Sequence, residues 1–175
     1  MSQPRRGADP ALHTEPLGKH HDRAAFSCGV PALDGYLHRR ASQEARRYVS
    51  ATFVLCADGA ADILGYYTLS ALGIRLDALP DEVARKLPRY PDVPATLIGR
   101  LAVASPAQGR GLGAFLLVDA LRRSLEQAST IGAAAVVVEA KDEPAARFYE
   151  TYGLQRLPER PNRLFLPMTT VAKLF

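Results

Sequence analysis

A single α/β domain is the fold class this sequence predicts, and three observations carry the prediction. Short extended apolar runs alternate along the chain with stretches whose apolar residues recur at helical spacing. Residues 133–138 form an unbroken apolar run, the pattern of a central strand covered on both faces. The third is Gln108-Gly109-Arg110-Gly111-Leu112-Gly113, which sits between an extended run and a long amphipathic stretch. At 175 residues, with 47% hydrophobic and 23% charged side chains, the chain is long enough to bury a core and is composed like a folded protein.

The elements follow in order. The first 22 residues are polar, are broken by Pro4, Pro10 and Pro16, and lack the apolar centre of a signal peptide. Residues 1–12 are expected to be a flexible segment ahead of one domain spanning 13–175. Leu33, Leu37, Ala41, Ala45 and Tyr48 fall on one helical stripe, with Arg39, Arg40, Arg46 and Arg47 mostly on other faces. Residues 51–57 read as a strand, Asp58-Gly59 as a turn, and residues 63–72 as a second strand. Residues 77–87 read as a short helix or helical loop. Pro88, Pro91 and Pro94 then exclude regular structure. Residues 95–103 read as a strand interrupted by Gly99, where a bulge fits. A helix beginning at Leu112 carries Leu116, Leu117, Ala120, Leu121, Leu125 and Ala128 on one stripe. After the central strand, Asp142 caps a helix with Pro144 in its first turn and Gly153 at its end. Residues 163–168 close the fold as a strand.

The glycine-rich junction has a chemical reading. Its glycines remove the β-carbons that hold an anion away from the backbone, and the helix at Leu112 adds unpaired N–H groups and a positive dipole end. No Lys-Ser/Thr follows, which excludes a Walker loop. Gly109, Gly111 and Ala114 fit a dinucleotide fingerprint, with Glu139 as its acid. Against this, residues 104–107 separate strand from glycines, and Glu139 lies well past the expected spacing of about 20 residues. The remaining chain is also too short for a six-stranded doubly wound sheet. A plain turn before a helix is the structural alternative.

Composition excludes other classes. Lys and Arg total 22 against 18 Asp and Glu, a mild excess of +4 that is compatible with a polyanionic partner. Cys28 and Cys56 are the only cysteines, so a reducing, cytoplasmic setting is expected, and Cys28 reads as structural. No apolar run approaches the ~18 residues that span a bilayer, so no membrane partner is expected. His20 and His21 lack partner ligands at metal spacing, and no metal is expected.

The order of elements, with Gln108, Gly111 and Gly113 at the strand-to-helix junction, resembles the GNAT N-acetyltransferase superfamily. So do Ala145, Phe148, Tyr149 and Gly153 on the later helix, although Asp142 stands where many members have Asn. The resemblance runs from about Leu17 to Leu166. It implies the GNAT fold, a mixed central β-sheet flanked by α-helices, with acetyl-CoA as acetyl donor. The implied cofactor contacts are Leu101, Ala102, Val103, Gln108, Gly109, Arg110, Gly111, Leu112, Gly113, Ala145 and Phe148, with Tyr149 as the catalytic acid. Phe26-Ser27-Cys28-Gly29-Val30-Pro31-Ala32-Leu33-Asp34, Gly65-Tyr66-Tyr67-Thr68-Leu69, Arg100-Leu101-Ala102-Val103 and Arg163-Leu164-Phe165-Leu166 are similar to GNAT toxins of type II toxin–antitoxin systems. That similarity implies acetylation of the α-amino group of aminoacyl-tRNA, arrest of translation, a ribbon-helix-helix antitoxin and a homodimer.

The residues bear on the acceptor independently. Acetyl transfer to an amine needs a neutral nucleophile, a polarised carbonyl and a proton for the leaving thiolate. Residues 95–103 contain no Asp, Glu or His. A lysine amine of pKa ~10.4 would want a nearby base, whereas an α-amino group near ~8 is already partly neutral. Glu139, on the neighbouring strand, keeps a water-mediated base open. Arg85, Lys86 and Arg89 border this strand and are candidate tRNA contacts, the alternative being solvated loop charges. Arg39, Arg40, Arg46 and Arg47 read first as a solvated helix face, the alternative being contact with nucleic acid. An enzyme acting on a small-molecule or peptide amine is the runner-up, and a DNA-bound regulatory component is the rival from another class.

Overall fold

The computed structural model describes residues 10–175, and a seven-stranded sheet organises them. The strands are β1 (Leu12–Pro16), β2 (Ala51–Ala57), β3 (Gly65–Arg75), β4 (Asp92–Val103), β5 (Ala135–Glu139), β6 (Gln155–Leu157) and β7 (Arg160–Pro167), in spatial order β1-β2-β3-β4-β5-β7-β6. All neighbours pair antiparallel except β4 and β5, which run parallel. The sheet is therefore mixed. Its helices are α1 (Pro31–Gly35), α2 (Ala41–Arg46), α3 (Asp81–Ala84), α4 (Leu112–Ala128), α5 (Glu143–Thr151) and α6 (Met168–Val171).

Adjacent tyrosines mark the two faces. The Tyr66 hydroxyl donates to the Leu33 carbonyl in α1 at 2.7 Å, and the Tyr67 hydroxyl to Asp119 in α4 at 2.6 Å. Successive side chains of a strand point to opposite faces, so α1 and α4 cover opposite sides of the sheet. On the α4 side, Leu116, Leu117, Ala120 and Leu121 are buried. Gly65 lets α4 approach, since a β-carbon there would lie 2.8 Å from both Leu116 Cδ1 and the Ala102 carbonyl. Asp119 also accepts from Thr14, and Arg123 donates to the Tyr67 oxygen, so α4 is tied to β1 and β3 by polar contacts as well.

Several expectations need correction. The expected flexible segment 1–12 lies outside the described residues up to residue 9, and its last residue, Leu12, already belongs to β1. The helical stripe through Leu33, Leu37 and Ala41 fails at Ala45 and Tyr48, which are both exposed. Residues Tyr36–Arg40 form a π-helical turn, closed by the Ala41 N–H on the Tyr36 carbonyl. The extra residue in that turn rotates everything after it. Pro94 stands inside β4 rather than in irregular chain. Its carbonyl accepts from Ala134 at 2.8 Å, and the N–H it lacks faces a side where β5 has not yet begun to pair. The strand expected at 63–72 begins at Gly65 and runs to Arg75, and β6 and α6 are additions.

Candidate active site

β4 and β5 pair only from Ala95↔Ala135 to Ile98↔Val138. Beyond Ile98, β4 continues to Val103 against β3 alone, and β5 ends at Glu139. The parallel pair therefore opens like a V. Gly99 sits at its vertex as the expected bulge, because Thr68 faces Arg100 and Leu69 faces Ile98 with no partner between. Backbone direction alternates along β4. The Ala104 N–H bonds the Leu64 carbonyl on the β3 side, whereas the Val103 carbonyl accepts from Gln108 on the other side. The N–H groups of Leu101 and Val103 thus face the opening, and that of Ala102 faces β3.

At the mouth of the V, Gly109 and Gly111 take φ values of 79° and 76°. A β-carbon at either would meet nothing within 4 Å, so the concave side is open. α4 begins at Leu112 as the sequence predicts, and the Phe115 N–H makes the first bond back to Gly111 at 3.2 Å. The N–H groups of Leu112, Gly113 and Ala114 are left for a ligand. These features fit a pyrophosphate, with Arg110 exposed at the rim.

Gln108 is placed differently. Its side-chain amide donates to the carbonyls of Cys28 at 3.1 Å and Val103 at 3.0 Å, so it clamps the loop to the body. The Ser105 N–H bonds the Ser27 carbonyl at 2.8 Å, and Asp34 holds the Cys28 N–H at 2.8 Å. The stretch from Phe26 to Asp34 is thereby the base of the glycine loop. Burial pushes the Cys28 thiol up to about 11, in keeping with a structural role.

α5 forms the other wall. Asp142 caps it by accepting from the Ala145 N–H at 2.9 Å, an acceptor role that Asn would fill equally. Gly153 ends it at a φ of 90°. The Phe148 ring lies 3.7 Å from where a Gly113 β-carbon would be, so Phe148 joins α5 to the cradle. Tyr149 is buried beside it, with ring centroids 5.3 Å apart. Burial raises the Tyr149 phenol to about 12, and no described residue hydrogen-bonds its hydroxyl. It is a protonated donor at neutral pH with its hydrogen uncommitted.

On the opposite face of the sheet, the Arg100 guanidinium lies 3.5 Å from the Tyr36 ring centroid, and the Tyr36 hydroxyl donates to Glu44 at 2.7 Å. Sequence reading does not single out this group, because its members come from β4, the π-helical turn and α2. Glu139 bonds Arg163, with Arg160 at 4.0 Å, so its carboxylate is engaged by cations. Arg85 and Arg89 line a cavity of about 770 Å³ next to Asp77, Asp81 and Asp92, while Lys86 stands exposed outside its lining. The strand rises roughly 20 Å from Asp92 to Ile98, so this cluster lies far from the vertex of the V.

His20 and His21 do have a partner that their spacing conceals. Glu15 accepts from His21 at 2.6 Å and from His20 at 3.1 Å. The Gly18 N–H donates to His21 Nδ1 at 2.8 Å, which puts the ring hydrogen on Nε2, facing Glu15. That nitrogen has no lone pair to offer a metal while the contact stands, so the group is built as a hydrogen-bonded cluster.

The profile of the acetyltransferase (GNAT) family matches residues 20–154. The probable toxin TacT of Sinorhizobium fredii is 32% identical over 168 residues, covering 91% of this chain and 93% of the relative. A tRNA-acetylating toxin of Mycobacterium tuberculosis is 38% identical over 147 residues, covering 84% and 86%. Among solved structures, AtaT complexed with acetyl-methionyl-tRNAfMet superposes with a TM-score of 0.87 at 31% identity, covering 94% of this chain and 99% of that one. A mutant AtaT bound to the C-terminus of the antitoxin AtaR and acetyl-CoA superposes with a TM-score of 0.79 at 28% identity, covering 94% and 98%.

Proposed function

We infer the function of this chain from the fact that it belongs to the acetyltransferase (GNAT) family. It transfers acetyl from acetyl-CoA to the α-amino group of an aminoacyl-tRNA, and so stops translation as the toxin of a toxin–antitoxin pair. The V between β4 and β5, with the glycine cradle at its mouth and a buried, protonated tyrosine on its wall, is the observation that carries the reading. Acetyl-CoA supplies the acetyl group already activated as a thioester.

Each part of the site then has a task. Residues Gly109 to Ala114 bind the pyrophosphate through backbone N–H groups. The N–H groups of Leu101 and Val103 polarise the acetyl carbonyl. The amine nitrogen attacks that carbon, the C–S bond breaks, and the thiolate takes its proton from Tyr149 or a water that Tyr149 holds. The amine's surplus proton passes to solvent. Among the described residues, the carboxylate that ends β5, Glu139, is engaged by Arg163. A site without a base suits an α-amine of pKa near ~8 better than a lysine at ~10.4.

The reading extends to partners. The ribbon-helix-helix antitoxin and the homodimer belong to it through the resemblance, and a complex of a relative with the C-terminus of its antitoxin supports an antitoxin partner as such. Phe115 and Val118, exposed along α4, supply apolar surface suited to a second copy. No helix among the described residues is long and apolar enough to cross a membrane. The deciding experiment incubates the protein with labelled acetyl-CoA and bulk aminoacyl-tRNA and identifies the acetylated amino acid. Label on a protein lysine or a small amine, with none on tRNA, would overturn the substrate assignment.

A further inference from the structure

α2 ends in an unusual residue. The Val49 N–H bonds the Glu44 carbonyl at 2.9 Å and the Tyr48 N–H bonds the Ala45 carbonyl at 3.1 Å, the paired closure of a Schellman C-terminus. Its left-handed position normally takes glycine, because a β-carbon there crowds the following carbonyl oxygen. Here it holds Tyr48 at a φ of 58°, the one non-glycine residue with positive φ among those described. The side chain returns nothing to the fold. Tyr48 is 97% exposed, and no described residue stacks on its ring. Strain that the interior does not offset points to use at the surface.

The surroundings indicate what it meets. Arg46 and Arg47 precede it, Arg39 lies further back along the same helical run, and no carboxylate among the described residues pairs with any of the three. The nearest acid, Glu44, is held by Tyr36 and Arg40. A protruding aromatic ring among unneutralised guanidinium groups matches the chemistry that binds unpaired bases, with the ring stacking and the arginines meeting phosphates. The location fits as well. Ala51, just past this turn, pairs with Leu69, and Leu69 pairs with Ile98 at the vertex of the V. Ala51 therefore lies about two strand spacings, roughly 10 Å, from the vertex, and Tyr48 stands three residues before it on the same side of the sheet order.

We propose that Tyr48, flanked by Arg46 and Arg47, is a stacking platform for an unpaired nucleotide at the aminoacylated end of tRNA. The proposal rests on the tRNA reading above and deepens it.

Three variants test it. Tyr48→Gly removes the ring and supplies the residue the turn prefers. Its melting temperature should rise by about 2–4 °C, while KM for aminoacyl-tRNA rises about tenfold and kcat and acetyl-CoA affinity hold. Tyr48→Phe keeps the ring and should keep the wild-type KM. Tyr48→Trp installs a lone tryptophan, excited selectively at wavelengths the tyrosines do not absorb, because the chain has none. Its emission should be quenched by an RNA hairpin with a single-stranded 3′ end and not by the same hairpin made blunt. An unchanged KM in Tyr48→Gly, or equal quenching by both hairpins, would overturn the platform. Quenching by an antitoxin peptide and by neither RNA would overturn it too, and assign the ring to a protein partner. The control is wild type on charged tRNA. If it acetylates none, the substrate reading itself has failed; if it acetylates normally, any failure belongs to Tyr48 alone.

Discussion

Gly111 and Tyr48 share a left-handed backbone, at φ values of 76° and 58°, yet the proposed function puts them on opposite sides of the reaction. Gly111 opens α4 on the proposed cofactor side, where the backbone itself would do the binding and a side chain would obstruct it. Tyr48 closes α2 on the proposed acceptor side, where a side chain is held out at a cost to the turn. On this reading one region recognises a ligand by lacking atoms, the other by presenting them. The cofactor side should therefore tolerate little addition, and the acceptor side should fail by subtraction.

The largest effect is expected from Tyr149→Phe. The substitution removes one oxygen from a buried ring and leaves its packing with Phe148 intact, so acetyl-CoA should still bind. General-acid contributions are typically ~100- to 10,000-fold, and kcat should fall within that range. The variant should be harmless when expressed without antitoxin. Because the phenol ionises only near about 12, the wild-type rate should rise as the amine loses its proton near ~8. It should then stay level up to the highest pH the fold survives. A descending limb near pH 9, or full activity in Tyr149→Phe with chemistry rate-limiting, would return Tyr149 to a packing role.

Gly111→Asp should weaken acetyl-CoA binding at least tenfold, or ~1.4 kcal/mol, because it adds bulk and negative charge where open space faces the pyrophosphate. Calorimetry on the folded variant measures this directly. Unchanged affinity would mean that the open side of the loop holds something else.

The same contrast explains what the sequence reveals. The start of α4 at Leu112, the Asp142 cap and the Gly99 bulge are written in local residue chemistry, since glycine and capping side chains act within a few positions. The apolar run of β5 likewise announces a central strand covered on both faces. The acceptor side is less legible. Arg100 meets Tyr36 only after the sheet forms, and the π-helical turn that moves Tyr48 off the buried stripe has no period of its own. β1 escapes a reading by pattern because His13 and Glu15, in a strand of five residues, look like loop. Gln108 resembles a ligand contact by motif, yet its amide serves carbonyls 80 and 5 residues away in sequence, one of them on the Phe26–Asp34 stretch.

A smaller effect separates the two basic clusters, the one around Arg46 and the one around Arg85. Arg46→Ala with Arg47→Ala should flatten the dependence of tRNA binding on salt, by about 0.7 in log–log slope for each phosphate that is no longer neutralised. Arg85→Glu, Lys86→Glu and Arg89→Glu together should flatten it less, because Asp77, Asp81 and Asp92 already offset that cavity. The reverse order, measured by filter binding over a salt series, would route the RNA across residues 76–91.

The smallest effect is expected from Glu15→Gln, and it guards the comparison against an artefact of general destabilisation. Hydrogen bonds from His21, then His20, hold the Glu15 carboxyl down to about 2 from its ordinary 4.5. A carboxyl lowered on folding stabilises the native state above its unfolded value, and that contribution fades as pH falls from about 4.5 towards 2. Glu15→Gln should accordingly melt below wild type at pH 7, and the gap should close as acid is added. Neither side of the reaction includes this cluster, so kcat, KM for charged tRNA and acetyl-CoA affinity should stay at wild-type values in thermal and kinetic assays run on the same samples. A gap that is undiminished at pH 2 would assign the destabilisation to poorer packing rather than to the charge. A raised KM for tRNA would extend the acceptor side across the sheet to β1.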